Sequence, residues 1–152
     1  MIPSRWLIRL INLYPPYLGA GVRVQGSADL RRFEVSMRLS LLNRNYVGTH
    51  FGGSLYSMCD PFFMLILMQA LGPEFVVWDK AASIRFRRPG RGRVRATFEI
   101  PEDRIESIRG EAIAAGKIEP VFQVEVVDDG GEVVAIVEKV LHVRYRGAAE
   151  PA

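Results

Sequence analysis

An α+β fold, a curled antiparallel β-sheet wrapped around a long central helix, is predicted by two patterns in the sequence. Several segments alternate apolar and polar residues with period two, and one segment, Ser54 to Leu71, is apolar nearly all round. A sheet with one apolar face can bury such a helix by curling around it.

The elements follow in order. Trp6, Leu7, Leu10, Ile11 and Tyr14 fall at helical spacing, so a short amphipathic helix is expected over about 4–14, stopped by Pro15-Pro16. With Arg5 and Arg9 on so short a helix, packing on its own domain or on a partner chain is favoured over a membrane surface, which needs more apolar area or a second signal. Phe33, Val35, Met37, Leu39 and Leu41 alternate with Glu34, Ser36, Arg38 and Ser40 as in a half-buried strand, and Val94, Ala96, Phe98 and Ile100 do the same. Between them lies the apolar helix. Residues 82–88 and 93–100 read as a hairpin turned by Pro89-Gly90-Arg91-Gly92. A second helix starts at Pro101-Glu102-Asp103 and stops at Gly116, and strands 121–127 and 133–145 form a hairpin through Asp128-Asp129-Gly130-Gly131.

Composition bounds the function classes. The 152 residues, 49% hydrophobic and 24% charged, suit one domain over 1–146 with a flexible tail over 147–152. A net charge of +3 arises from 20 basic against 17 acidic residues, which is no polycation and gives no reason to expect nucleic acid. One cysteine and two histidines make no intrachain disulfide and no structural zinc set, so a cytoplasmic setting with no metal and no cofactor is expected. Trp6-Leu7-Ile8 is cut short by Arg9, so neither a signal peptide nor stable membrane insertion is expected.

The stretch GTHFGGSLYSMCDP, Gly48 to Pro61, concentrates the reactive groups. Gly52 and Gly53 precede the apolar helix, where the first N–H groups lack partners and can polarise a carbonyl oxygen; a plain helix-starting turn is the alternative. Asp60 lies within the apolar run, where an unpaired carboxylate is costly, so it has either a task or a strong structural partner. Seven positions at a rise of about 1.5 Å put roughly 10 Å between Gly53 and Asp60 along a helix, too far to share one carbonyl group. Two antiparallel helices across a two-fold axis would bring Gly53 of one chain to Asp60 of the other. Ser54 lacks a nucleophile-elbow setting, and Cys59 on a buried helix reads as an apolar filler. His50 reads equally as a substrate-binding group or base and as a loop histidine held by backbone.

The segment Asn45-Tyr46-Val47-Gly48-Thr49-His50-Phe51-Gly52-Gly53, with Leu55-Tyr56 and Met58-Cys59-Asp60 after it, resembles the PaaI-like branch of the hotdog-fold thioesterases, whose motif runs N-x-x-G-x-x-H-G-G. Ile84 to Gly92 resembles that family's strand ending in Arg-Pro and a glycine turn, and the similarity covers most of residues 20–146. The resemblance implies hydrolysis of an acyl-CoA or acyl-carrier-protein thioester by a homo-oligomer, a dimer or a dimer of dimers. It implies that the Gly53 amide polarises the thioester carbonyl, that Asp60 of the second subunit activates water or attacks directly, and that Asn45 positions substrate or water. Burial beside Met58, Phe62 and Phe63 would help a carboxylate act as base.

One departure stands out: the family histidine directly precedes the glycine pair, whereas Phe51 holds that place here and His50 lies one position earlier. His50-Phe51-x-Gly53 also resembles the His-Phe-Pro-Gly segment of hotdog 3-hydroxyacyl thioester dehydratases, an alternative activity. A non-catalytic acyl-CoA-binding module is the other. Arg85, Arg87, Arg88, Arg91 and Arg93 surround the Pro89–Gly92 turn; Arg88 and Arg91 are candidates for the coenzyme A phosphates, or the cluster is a charged strand edge. Gly52, Ser54, Tyr56 and Phe63, with Phe62 and Trp78, are the candidate walls of the substrate pocket.

Overall fold

The structure, a computed structural model, describes residues 4–147. Its elements are α1 (Ser4–Leu13), α2 (Pro15–Ala20), β1 (Val22–Gly26), β2 (Arg32–Arg38), α3 (Gly52–Ser57), α4 (Phe62–Leu71), β3 (Phe75–Phe86), β4 (Arg93–Glu99), α5 (Glu102–Ala115), β5 (Lys117–Ile118), β6 (Val121–Asp128) and β7 (Val133–Tyr145). The strands form one seven-stranded antiparallel sheet in the order β1-β2-β4-β6-β7-β3, with β5 joined to β7. Period-two alternation buries one face, with Phe33, Val35 and Met37 on β2, Val94, Ala96 and Phe98 on β4, and Val137, Leu141 and Val143 on β7, but β2 stops at Arg38, short of Leu39 and Leu41, and Leu41 is exposed. That face wraps around α3 and α4. Phe62 packs on Phe33 and Phe98, with ring centroids 5.2 and 4.9 Å away, so helix and sheet share one core.

The long central helix runs over Gly52–Leu71 as expected, but it is broken: Met58 to Pro61, between α3 and α4, is not helical. Pro61 has no N–H for the helix ladder, and the chain turns there through the Cys59 and Asp60 amides, which donate to the Tyr56 and Ser57 carbonyls. By length and composition the run Gly52–Leu71 could cross a membrane, but Phe62, Phe63, Ile66, Leu67 and Leu71 are buried under the chain's own sheet.

Two expectations change. Pro15-Pro16 ends α1 but also starts α2, since proline suits the first helical turn. The first of these helices packs on β1 through the Asn12 side chain, which donates to the Val24 carbonyl at 2.8 Å and accepts the Val24 N–H at 2.9 Å. The segments 82–88 and 93–100 are not a hairpin: β3 pairs with β7 along its length, while β4 pairs with β2 and β6. The Pro89–Gly92 link is held elsewhere, its Gly90 and Gly92 carbonyls accepting the His50 and Leu39 amides at 3.0 and 2.7 Å. The expected 121–127/133–145 hairpin is present as β6 and β7. Of the tail expected to be flexible, residues 148–152 lie outside the described residues.

Candidate active site

The segment between β2 and α3 is built on two asparagines. Asn43 is buried and donates to the Ala20 and Arg38 carbonyls at 2.7 and 2.8 Å. Asn45 closes a small loop: its carbonyl oxygen accepts the Val47 and Thr49 amides, and its NH2 group donates to the Thr49 hydroxyl and the His50 carbonyl. Those four bonds use the whole capacity of the amide. Asn45 therefore shapes the loop and has nothing left for water or substrate.

His50 is 3% exposed. Its Nε2 lies 3.0 Å from the Gly92 carbonyl, an acceptor only, so Nε2 carries the proton and Nδ1 the lone pair. That Nδ1 is buried with no partner. Burial lowers the imidazole's pKa, partly offset by the bond to Gly92. Of the two readings of His50, the geometry matches a loop histidine held by backbone.

The glycine pair has a packing cause. A Cβ on residue 52 would come within 2.8 Å of the Phe86 ring, and one on residue 53 within 2.5 Å of the Phe51 ring. Within α3 the Ser54 and Leu55 amides both reach the Phe51 carbonyl, and the Gly52 and Gly53 amides make no backbone hydrogen bond among the described residues. Gly53 is exposed. With only six residues α3 adds little dipole, so what Gly53 offers is one free N–H donor.

Asp60 is not where a buried catalytic carboxylate was expected. At the break between α3 and α4 its side chain is 51% exposed, while Met58, Phe62 and Phe63 turn into the core. Its Oδ1 accepts the Tyr56 hydroxyl at 2.9 Å and the Lys139 ammonium at 3.1 Å. Lys139 on β7 is 0% exposed and also reaches Asp79 Oδ2 at 3.2 Å and the Tyr56 oxygen at 3.2 Å. A β-bulge at Asp79/Ala81 sets the Asp79 side chain. Burial pushes Lys139 down, but Tyr56, Asp60 and Asp79 together hold it above an ordinary lysine. Burial likewise raises Asp79, against the pull of Lys139.

Lys139 went unnoticed in the sequence, though a signal was there. Val137, Lys139, Leu141 and Val143 occupy the inward positions of a period-two strand, and a lysine in that row must find counter-charges inside.

Two cavities flank these groups. A groove of about 580 Å³ between the N-terminal helices and the α3–α4 break is lined by Leu10, Ile11, Tyr14 and Tyr17 and ends at Tyr56 and Asp60. A second, of about 450 Å³, is lined by Asn45, His50, Gly52, Phe86 and Arg88. They share no lining residue. Within one chain, then, Asp60 and the Asn45–Gly52 loop open onto different cavities.

The remaining candidates fall elsewhere. Phe63 is 4% exposed and stacked on Phe122, with ring centroids 5.0 Å apart, and Phe62 is buried, so both are core and not pocket wall. Trp78 stacks on His142. Ser54 is half-buried in α3 and makes no side-chain hydrogen bond to the described residues. Cys59 is fully buried, and burial pushes its thiol far up. Arg88 pairs with Glu132 at 3.4 Å and Asp128 at 3.8 Å, while Arg91 is exposed in the turn. No cluster of three His, Cys, Asp or Glu side chains among the described residues could hold a metal ion.

The same architecture recurs in solved structures. A Pseudomonas aeruginosa "Protein of Unknown Function … Probable Thioesterase" aligns over 95% of this chain and 97% of its own at 23% identity, with a TM-score of 0.83. A Haemophilus influenzae thioesterase aligns over 99% and 96% at 13% identity and a TM-score of 0.67, and a mutant Pseudomonas aeruginosa thioesterase over 95% and 96% at 13% and 0.68. No curated protein matches the chain. At these identities the likeness establishes the hotdog fold, and the sequence carries the finer relationship: residues 5–143 match the model described as "Domain of unknown function (DUF4442)", and the chain belongs to that family.

Proposed function

We propose that the protein hydrolyses acyl-CoA thioesters at a site assembled from two copies of the chain, with the Gly53 amide of one and the Asp60 carboxylate of the other acting on one carbonyl group. The observation that carries this reading is the separation of the two cavities. Neither holds a complete set of groups: Asp60 ends the apolar groove, Gly52 lines the other cavity, and the free N–H of the adjoining, exposed Gly53 complements the carboxylate. The names of the solved neighbours, thioesterases from Haemophilus influenzae and Pseudomonas aeruginosa, support the reaction class.

In this reading the thioester carbonyl oxygen accepts the Gly53 N–H, which stabilises the negative charge that grows there as the carbonyl carbon is attacked. Asp60 takes a proton from water as the new C–O bond forms, the C–S bond breaks, and the thiol leaves with that proton. Direct attack by the carboxylate would give an anhydride that water then opens, with the same products. The acyl chain lies in the groove beside Asp60, against Leu10, Ile11, Tyr14 and Tyr17, which take the place of Phe62 and Phe63 as its walls. The pantetheine arm leaves along the other cavity past Arg88, toward the turn on which Arg91 is exposed.

A dehydratase would need an imidazole free to meet the acid, and His50 is 3% exposed, with its Nε2 committed to the Gly92 carbonyl and its Nδ1 buried. The test is thiol release from short, long and aromatic acyl-CoAs. The expected result is release by the wild type and a loss of about 100-fold or more in kcat for Asp60→Asn. Equal rates for the two proteins would remove Asp60 from the mechanism, and no release from any substrate would favour a non-catalytic acyl-CoA-binding module.

A further inference from the structure

We infer that Lys139, anchored from behind by Asp79, is a positioning residue for Asp60. The inference rests on the thioesterase reading for its consequence and on geometry for its content. Asp60 lies in the non-helical break between α3 and α4, so no helix fixes its side chain, and half of that side chain faces solvent. Both of its hydrogen bonds go to the same oxygen: Oδ1 accepts from Lys139 at 3.1 Å and from Tyr56 at 2.9 Å. Oδ2 accepts none from the described residues. A carboxylate held by one oxygen presents the other in a single direction, the pre-organisation that general-base or nucleophilic attack requires.

The cost of the arrangement argues that it has a purpose beyond packing. Lys139 occupies an inward position between Val137 and Leu141, where an aliphatic side chain would fill the space without desolvating a charge. The ammonium is matched on its other side by Asp79 Oδ2 at 3.2 Å, and Asp79 Oδ1 is itself buried and unpartnered. Two carboxylates and a phenol thus converge on one buried cation, and of the two carboxylates only Asp60 lines a groove. In this arrangement Asp79 fixes Lys139, and Lys139 with Tyr56 fixes Asp60.

Lys139→Met alone would leave Asp79 buried without its partner, so it is paired with Asp79→Asn. The expected result in Lys139→Met/Asp79→Asn is a fall of about 100-fold in kcat with KM within about threefold, the pattern of a misplaced reacting group. Adding the same pair of changes to Asp60→Asn should cost nothing further in kcat, because Lys139 acts only through Asp60. A crystal structure of Lys139→Met/Asp79→Asn supplies the readout that does not depend on activity: the Asp60 carboxylate should leave the Tyr56 hydroxyl. Finding Asp60 still in its wild-type place overturns the inference, as does an additive loss on the Asp60→Asn background. If the wild type releases no thiol, the thioesterase reading fails by itself, and the position of Asp60 in the variant still decides the inference.

Discussion

The Tyr17 hydroxyl donates a hydrogen bond to the Ser57 carbonyl at 2.9 Å, tying α2 to the last residue of α3. Tyr17 is 3% exposed, its ring stacks on Phe62, and burial raises its phenol far above the ordinary range. The N-terminal helices are therefore fastened to the segment that presents Asp60. Tyr17→Phe keeps the ring and strands the Ser57 carbonyl, so a loss of about 1–2 kcal/mol in denaturant unfolding is expected. An unchanged midpoint would show that the bond is not formed in solution.

The groove between those helices and Asp60 makes a prediction about substrates. Leu10 lines it from α1 and is exposed, so Leu10→Trp can fill space without disturbing the core. Expected is a fall in kcat/KM for long acyl-CoAs of about tenfold, the cost of roughly 1.4 kcal/mol of lost apolar contact, with short acyl-CoAs little changed. Parallel losses for short and long substrates would place the acyl chain elsewhere.

Asn45 is predicted to act on the loop and not on the chemistry. Asn45→Ala removes four hydrogen bonds and leaves the Val47 and Thr49 amides to find water, so a destabilisation of about 1–3 kcal/mol is expected. Asn45→Asp keeps the two accepting contacts and should recover part of it. A fully stable Asn45→Ala protein that has lost thiol release would instead return Asn45 to direct contact with substrate.

His50 predicts a pH dependence. Because burial lowers its folded-state pKa, an unfolded chain takes up the proton near the ordinary value of about 6.5 while the native chain does not. The contribution to stability is whole above that value and is lost as pH falls from it toward the lower folded-state pKa. His142 is lowered in the same sense, also by burial. Thermal midpoints between pH 7.5 and 5.5 should therefore fall, and fall less steeply in His50→Gln. Equal slopes in both proteins would mean that His50 is free to protonate in the native state.

The sequence carried the strands best where one face is buried and the other wet. On β2, β4 and β7 the alternation of Phe33, Val35 and Met37, of Val94, Ala96 and Phe98, and of Val137 to Val143 matches the burial in the sheet. Strand partners were less legible. Pro89-Gly90-Arg91-Gly92 looks locally like a hairpin turn, but β3 closes onto β7, a pairing set by distant residues such as Ile84 opposite Val137. At the candidate site, Gly53 and Asp60 were visible because glycines and a lone carboxylate are anomalous beside an apolar run. The break was signalled only by the presence of Pro61 in the apolar run, and the partners of Asp60 were not visible at all: Lys139 lies 79 positions away and meets it only when the sheet curls.

The central claim is that one site draws on two chains, and subunit complementation tests it most directly. Asp60→Asn and Gly53→Pro chains, the second lacking the amide proton, are co-expressed with different tags and mixed oligomers purified through both. Each parent should be inactive. In a mixed dimer one site then pairs an intact Gly53 with an intact Asp60 and the other pairs two defects, so thiol release at about half the wild-type rate per dimer is predicted. Mixed dimers no more active than either parent would contradict the account, since a site contained in one chain would be broken in both.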